Sequence, residues 1–290
     1  MREARSVSVV IPTFNECELI AQQLEALCAQ RLDIPTEIVI ADNGSTDATL
    51  EVVGAFAKSD PRVRIVDASQ SPGPKHARQR GSQLAKGELL LYCDADDVVA
   101  EGWLSAMVAA AATSDAVGGQ LEHALVNPVS VRRWRAGSPM TELPTSLRFL
   151  PYAASANFGV WRDALERVGG WEIGTTYGED VDLSWRLQLA GYQLTYCHEA
   201  IVHYRHRTTP RDLWKQCVKY GQGETELLNR FREYGARPAT FSLALWRIWY
   251  MLSRMPYLVW GEARRGLWIS VAAPTWGRFL GSIRHRVFRP

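Results

Sequence analysis

The chain has 290 residues, 47% of them hydrophobic and 22% charged, which excludes a disordered polymer and supplies apolar material for one large domain with an appendage. Its five cysteines, Cys17, Cys28, Cys93, Cys197 and Cys217, are odd in number and include no Cys-x-x-Cys pair, which excludes a disulfide framework and a zinc site. The net charge of +2 hides an acidic body and a basic tail: residues 211–290 carry 14 Lys or Arg against 5 Asp or Glu, leaving residues 1–210 at −7.

Met1-Arg2-Glu3-Ala4-Arg5 offers no apolar stretch, so no signal peptide is expected, and unpaired cysteines suit a reducing cytoplasm. Val7 to Ile11 are mostly β-branched and predict a first strand, stopped by Pro12. Asn15 followed by Glu18 reads as a capping box for a helix carrying Ile20, Leu24 and Leu27. The unit then repeats. Glu37 to Ala41 predict a strand, Asp42-Asn43-Gly44-Ser45 a turn, and Thr46 to Ala57 a helix. A third strand over Val63–Val66 leads to a basic helix holding Lys75, His76, Arg78 and Arg80. Strands alternating with helices at this spacing predict an α/β fold with a mostly parallel sheet covered on both faces.

Leu89-Leu90-Leu91-Tyr92-Cys93 is a buried-strand pattern that runs directly into Asp94-Ala95-Asp96-Asp97. Alternation along an extended backbone would aim Asp94 and Asp96 one way and Asp97 the other. Two converging carboxylates suit a divalent cation shared with substrate phosphates. The polar turns after the strands, around Thr13, Asp42, Ser69 and Asp94, should share one sheet edge, where open α/β sheets bind ligands. No Gly-x-Gly-x-x-Gly or Walker-type Gly-Lys-Ser/Thr sequence occurs, which disfavours dinucleotide oxidoreductases and P-loop enzymes.

Further on, Trp103–Ala112 predicts a helix and Val117–Leu121 a strand. Residues 127–151 hold Pro128, Pro139, Pro144 and Pro151 with little periodicity, the pattern of a functional loop or lid. Gly178-Glu179-Asp180-Val181-Asp182 opens a helix that Gly191 closes. Acids in a first turn serve as helix-dipole partners or, kept ionised there, as a general base; sequence alone leaves both open. His203 ends a strand beginning near Ile201 and is either structural or a metal ligand. Trp171 is either a core residue or an aromatic platform for a bound ligand.

Taken together, Ser8–Glu16, Ala41–Asp47, Cys93–Asp97 and Gly178–Arg186 resemble the family 2 glycosyltransferases, whose four motifs appear in the same order over about the first 210 residues. The resemblance implies a GT-A fold, a nucleotide-diphosphate sugar donor with uridine favoured, a divalent cation, Mn²⁺ or Mg²⁺, and inversion at the anomeric carbon. It implies Pro12, Thr13, Glu16, Asp42, Arg78, Asp94, Ala95 and Asp96 as the nucleotide-sugar site. Asp96, with Asp94 and His203, would hold the metal; Asp180 would be the base, with Glu179 beside it at the acceptor. Beside these, the aromatic face of Trp171 would suit the apolar side of an acceptor sugar, unless it is a core tryptophan. Gln79 and Asn43 depart from the commoner Asn and Asp, and the Gln-x-x-Arg-Trp motif of processive members is absent after His203, which favours transfer of a single sugar. Residues 1–100 would form the nucleotide-sugar half, 101–208 the acceptor half of the same domain, and 209–290 a helical extension. The competing readings are a nucleotidyltransferase and a non-catalytic nucleotide-binding scaffold.

In that extension, Thr209-Pro210-Arg211-Asp212 reads as an N-cap, a proline at N1 and an acid at N3. Beyond Pro238, Trp246, Trp249, Tyr250, Tyr257, Trp260, Trp268 and Trp276 alternate with arginines, and no stretch is apolar enough to span a bilayer. Such a tail suits an anionic membrane surface, placing the protein peripherally on the inner face, or packing on its own domain or a second subunit. Nucleic acid is disfavoured, since phosphate contact needs no tryptophan. The acceptor stays open between a lipid-linked glycan, a small natural product and a polypeptide.

Overall fold

The computed structural model describes residues 1–135, 141–171 and 176–285. The expectation at Pro139 lies outside them. Three βα units open the chain: β1 (Val7–Thr13) and α1 (Ile20–Cys28), β2 (Thr36–Asp42) and α2 (Thr49–Ser59), β3 (Val63–Asp67) and α3 (Pro74–Leu84). β4 (Leu89–Cys93), β5 (Val98–Val99), α4 (Trp103–Ala111), β6 (Ala116–Glu122) and α5 (Val129–Arg132) follow. The domain continues through β7 (Asn157–Trp161), α6 (Arg162–Arg167), α7 (Glu179–Leu189) and β8 (Leu194–His203), and α8 (Pro210–Phe231), α9 (Phe241–Ser253) and α10 (Glu262–His285) close the chain.

All eight strands join one sheet in the order β3-β2-β1-β4-β7-β6-β8-β5. The β3-β2-β1-β4 half is parallel, β7 runs antiparallel between β4 and β6, and β6 pairs parallel with β8. The sheet is therefore mixed, and its apolar core runs continuously from Val7 to Val202. Register places Thr13 beside Asp42 and Asp42 beside Asp67, so the polar ends of the parallel strands lie in one row. Gly81 lets α3 lie close on this half, since a Cβ there would stand 2.5 Å from Val10. The seam with the antiparallel half is locked by fully buried Asn157. Its amide donates to the carbonyls of Gln120 and Ala200, and its Oδ1 accepts from Trp103 Nε1 at 2.8 Å.

The expected capping box does not form. Asn15 has φ 54°, α1 begins only at Ile20, and the Asn15 carboxamide instead accepts from Thr46 N at 2.7 Å, tying the first turn to the second. That second turn is longer than expected, and α2 starts at Thr49, whose amide is capped by Asp47.

The extension packs through small residues. A Cβ on Gly221 of α8 or Gly277 of α10 would stand 2.1 Å from a carbonyl of the facing helix, and Gly266 lies against the ring of Trp134. Val131 and Trp134 thereby join a core with Leu213, Cys217 and Ile269, so the first part of the expected 127–151 loop is anchored under α8 and α10. The later part folds back on itself, with Thr145 bridged to Pro151. Thr209 caps α8 as expected, accepting from Asp212 N at 3.1 Å. No helix among the described residues is long and apolar enough to cross a membrane.

Candidate active site

β4 ends at Cys93, and Asp94 to Asp97 form a turn. The alternation expected of a strand is therefore lost: a turn brings the carboxylates of Asp94, Asp96 and Asp97 within 4.8 Å of one another. Burial and the neighbouring negative charge of Asp94 raise the pKa values of Asp96 and Asp97. Asp97 is 1% exposed; its Oδ1 accepts from Arg205 N at 2.7 Å, while its Oδ2 is buried with no hydrogen-bond partner. Crowded carboxylate oxygens whose mutual repulsion a cation would relieve, with one buried atom left unsatisfied, are the donor set of a hard divalent cation, and the residues fit one. Ala95 is buried between them.

Glu16 joins this group. Burial, followed by the charge of Asp96, pushes its carboxyl up to about 7, with Arg207 opposing. Arg207 Nη1 stands 3.6 Å from Asp96 Oδ2, and Arg205 Nε donates to the carbonyl of Asp96 at 2.8 Å. The sequence reading missed both arginines. Their signal was the spacing of His203, Arg205 and Arg207, every second residue along one chain. His203, chosen instead, is not drawn to the acids: its Nδ1 lies 2.8 Å from Glu122 Oε2, the residue it pairs with between β6 and β8. Among the described residues the possible metal group is Asp94, Asp96 and Asp97, without His203.

Arg78 connects this group to the second acidic motif. The side chain rises from α3, is 3% exposed, and donates to Asp94 Oδ1 at 2.6 Å and to Glu179 Oε1 at 3.1 Å. Burial opposes its charge, but the two carboxylates outweigh that and raise its pKa. Beneath it lies Trp171, with Arg78 Cζ 5.5 Å from the ring. At 1% exposure, edge-on to Tyr92 and Phe158, Trp171 is a core residue and cannot be the exposed floor of an acceptor sugar. Arg186 holds the turn before it, donating to the carbonyls of Val168 and Gly170 while Asp182 accepts from Arg186 Nε at 2.6 Å. Gly169 and Gly170 take φ 87° and 76°, which makes glycine the residue suited to that turn.

Asp180, in the first turn of α7, accepts from Val181 N at 2.9 Å and Ser155 N at 3.3 Å. The helix start was expected to lower its pKa. Instead burial and the charge of Glu179 push it up to about 6, outweighing those two amides and Arg78. Tyr152, a residue the sequence did not single out, sits between charges: burial, Asp180 and Glu224 raise its pKa.

The remaining expected nucleotide residues line the strand ends. Thr13 is buried with its hydroxyl donating to Ile11 O at 3.2 Å, and Pro12 is buried beside it. Asp42 accepts from the amides of Gly44 and Ser45, closing its own turn. Asn43 donates to Ser71 O at 2.8 Å and accepts from Gly73 N at 2.7 Å, a pattern that the commoner Asp could not complete. Gln79 accepts from Trp171 N at 2.8 Å and so carries the Trp171 turn.

A mixed sheet whose parallel edge gathers these acids is the architecture of the GT-A glycosyltransferases. The fold agrees over the whole chain with a mannosyltransferase from Pyrobaculum calidifontis solved with GDP-Man and Mn²⁺, at TM-score 0.63, 19% identity and 77% coverage of that chain. It agrees with 98% of this chain for Staphylococcus aureus TarS residues 1–349 solved with UDP-GlcNAc, at TM-score 0.56, 18% identity and 93% coverage of that chain. The profile described as Glycosyl transferase family 2 matches residues 8–169, and that of Glycosyl transferase family group 2 matches residues 89–273. The chain is 30% identical to glycosyltransferase AglE of Haloferax volcanii, over 89% of this chain and 85% of that protein. It is 25% identical to succinoglycan biosynthesis protein ExoA of Rhizobium meliloti, over 91% and 85%. The chain belongs to glycosyl transferase family 2, and it is a glycosyltransferase of the hexosyltransferase type.

Proposed function

We propose that the protein moves one sugar from a nucleotide diphosphate donor, UDP favoured, to an acceptor hydroxyl in a single inverting displacement. The observation that carries this reading is Arg78, which joins Asp94 of the metal-type acid group to Glu179, the neighbour of Asp180, in two short ion pairs. On this reading the residues that would serve the leaving group and the base would share one frame. Pro12, Thr13, Glu16, Asp42, Arg78, Asp94, Ala95 and Asp96 would form the donor site along the strand ends. Asp96 and Asp94 would hold Mn²⁺ or Mg²⁺, with Asp97 behind them; when bound, the cation supplies Lewis-acid neutralisation of the departing diphosphate. Arg207, beside Asp96, adds positive charge where the leaving group develops negative charge.

Asp180 would accept the proton of the attacking hydroxyl. A carboxyl titrating at about 6 is ionised at neutral pH yet more basic than an ordinary aspartate, the compromise a general base needs. Ser155 N and Val181 N fix its orientation. Glu179, held by Arg78, would border the acceptor. The C-terminal segment 239–290 would lie on an anionic membrane surface, placing the site at the bilayer.

Calorimetric titration of UDP, dTDP and GDP, with and without Mn²⁺, tests the donor site. Tight Mn²⁺-dependent binding of UDP should be lost in Asp96→Asn. A folded wild type that binds none of the three, or an Asp96→Asn variant that binds unchanged, would overturn it.

A further inference from the structure

The turn Asp94–Asp97 sets three carboxylates within 4.8 Å of one another, and within the turn itself Asp97 N reaches Asp94 O at 3.4 Å, a long bond. Like charges this close push the turn open, so its shape has to be held from outside. Gln23, in the middle of α1 and 0% exposed, donates from Nε2 to Asp94 O at 3.0 Å and accepts at Oε1 from Val99 N at 2.9 Å. One carboxamide thus spans the turn from its first residue to β5. Both bonds form in a single orientation of the amide, since the flipped group would set oxygen against oxygen and N–H against N–H. Arg205, just past β8, grips the same turn by another route. Its main-chain amide donates to Asp97 Oδ1 at 2.7 Å, and its guanidinium donates to Asp96 O at 2.8 Å, Gln22 Oε1 at 3.1 Å and Val126 O at 3.3 Å.

Gln22 and Gln23 are neighbours on α1, so the helix is tied to the acids directly through one and through Arg205 by the other. The chemistry of these contacts separates them from counter-ions. The Gln23 carboxamide is neutral, and the Arg205 guanidinium is bonded to three neutral oxygens. They fix the turn through its main-chain carbonyls and add no hydrogen bond to the carboxylates of Asp94 and Asp96. Gln30, seven residues beyond Gln23, makes the same kind of bridge, donating to Ala100 O at 3.2 Å and accepting from Leu104 N at 2.8 Å, but to a stretch that carries none of the three acids.

We propose that Gln23 and Arg205 are positioning residues for the divalent cation: they hold Asp94, Asp96 and Asp97 converged before it arrives and thereby set the affinity of the protein for it. This rests on the reading of the three acids as a cation site and adds the residues that build that site. Groups that orient metal ligands in this way govern metal affinity by roughly 10–100-fold.

The test titrates Mn²⁺ into the full chain, with and without UDP, reading free Mn²⁺ from its electron paramagnetic resonance signal and recording Tm for each variant. Gln23→Met keeps the length of the side chain and loses both bonds, and it should weaken Mn²⁺ binding roughly tenfold or more. Gln30→Met loses an equivalent bridge away from the acids, and it should lower Tm with Mn²⁺ affinity unchanged. Arg205→Met decides the matter if Gln23→Met fails to fold, and the sign of its effect is diagnostic. Removing a cation near acids should by charge alone tighten Mn²⁺ binding, whereas removing a clamp weakens it, and weaker binding is the expected result. Unchanged affinity in Gln23→Met, equal losses in Gln23→Met and Gln30→Met, or tighter binding in Arg205→Met would overturn the proposal. A wild type that binds no Mn²⁺, with or without UDP, would remove the cation site and this proposal with it; Mn²⁺ bound equally by the wild type and Gln23→Met would remove the positioning role alone.

Discussion

At the sheet edge Arg78, Asp97 and Asp182 are charged residues reduced to 3%, 1% and 0% exposure, while on α9 Phe241, Trp249 and Leu252 stand 68%, 59% and 65% exposed. Each region inverts the ordinary distribution of polar and apolar groups. At the edge the inversion is compensated internally: Asp94 and Glu179 pair Arg78, and Arg186 pairs Asp182. What is left over is specific: a buried oxygen of Asp97, the buried Nε of Arg78, and carboxyls on Asp96 and Glu16 with raised pKa values. On α9 no such pairing occurs among the described residues. Only Ala244 of its thirteen residues is buried, and no acid occurs between Glu233 and Glu262, where Arg237, Arg247 and Arg254 lie. Internally balanced burial with a small remainder marks a site for a small charged ligand. Uncompensated apolar exposure with cations marks a surface for an extended partner.

The largest effect that would break this contrast is at Asp180. Asp180→Asn should lower the rate of transfer by roughly 10²–10⁴ while leaving Mn²⁺-dependent UDP binding in place, as removal of a general base does. Its pH dependence follows from a carboxyl pushed up to about 6: protonated below that value it cannot accept a proton, so wild-type kcat/KM should rise through about 6 and level off above 7. Stability should move the other way. A folded-state pKa above the unfolded one means that the native protein binds the proton more tightly, so its stability falls as pH rises from about 4 through 6. Asn removes that penalty, and the variant should be more stable than wild type at pH 8 by about 1–3 kcal/mol. Normal turnover in Asp180→Asn would assign the base elsewhere, and a lower Tm would deny that the carboxylate is held against a burial cost.

The edge was legible in sequence because its signals are local. β-branched runs ended by Pro12 or a turn, and glycines with positive φ at Gly44 and Gly178, each act within a few residues. What was not legible depends on contacts between distant residues. Arg205 and Arg207 reach the acids only because β8 returns beside β5, more than a hundred residues after Asp96. Trp171 is buried because Tyr92 and Phe158 come from two neighbouring strands, and no periodicity around Gly169-Gly170-Trp171 announces that. Asp180 was misjudged in sign, since a helix start is visible in sequence and the burial that outweighs it is not. In the tail the Trp and Arg composition was plain, but only the fold separates Trp268, partly buried with its ring stacked on Trp214, from Trp249, which is exposed.

A second test asks whether the helical extension is structurally separable from the edge. Gly277→Ala places a methyl 2.1 Å from the carbonyl of Val218 and forces α10 away from α8, at a cost of about 1–3 kcal/mol. Gly54→Ala, on α2 where a Cβ would meet nothing within 4 Å, should instead stabilise by about 0.5–1 kcal/mol through lost chain entropy. Thermal unfolding separates the two. UDP binding should survive both, because neither glycine touches the strand ends; its loss in Gly277→Ala would show that the extension sets the geometry of the edge.

The smallest expected effect concerns the exposed face itself. α9 is thirteen residues, about 20 Å at 1.5 Å per residue, against about 30 Å for a bilayer core, so it would lie in the interface rather than span it. The stretch between Glu233 and Glu262 carries Arg237, Arg247 and Arg254 and no acid, which suits an anionic lipid surface. Trp249→Glu replaces an exposed ring by a negative charge and should reduce recovery with phosphatidylglycerol vesicles severalfold in flotation. Phosphatidylcholine vesicles should bind both forms weakly, and high salt should erase most of the difference between the two lipids. Because the side chain is exposed and distant from the sheet, Tm and UDP binding should not move. Unchanged flotation would deny α9 its membrane role, and a concentration-dependent dimer that Trp249→Glu dissolves would give this face to a second copy of the chain.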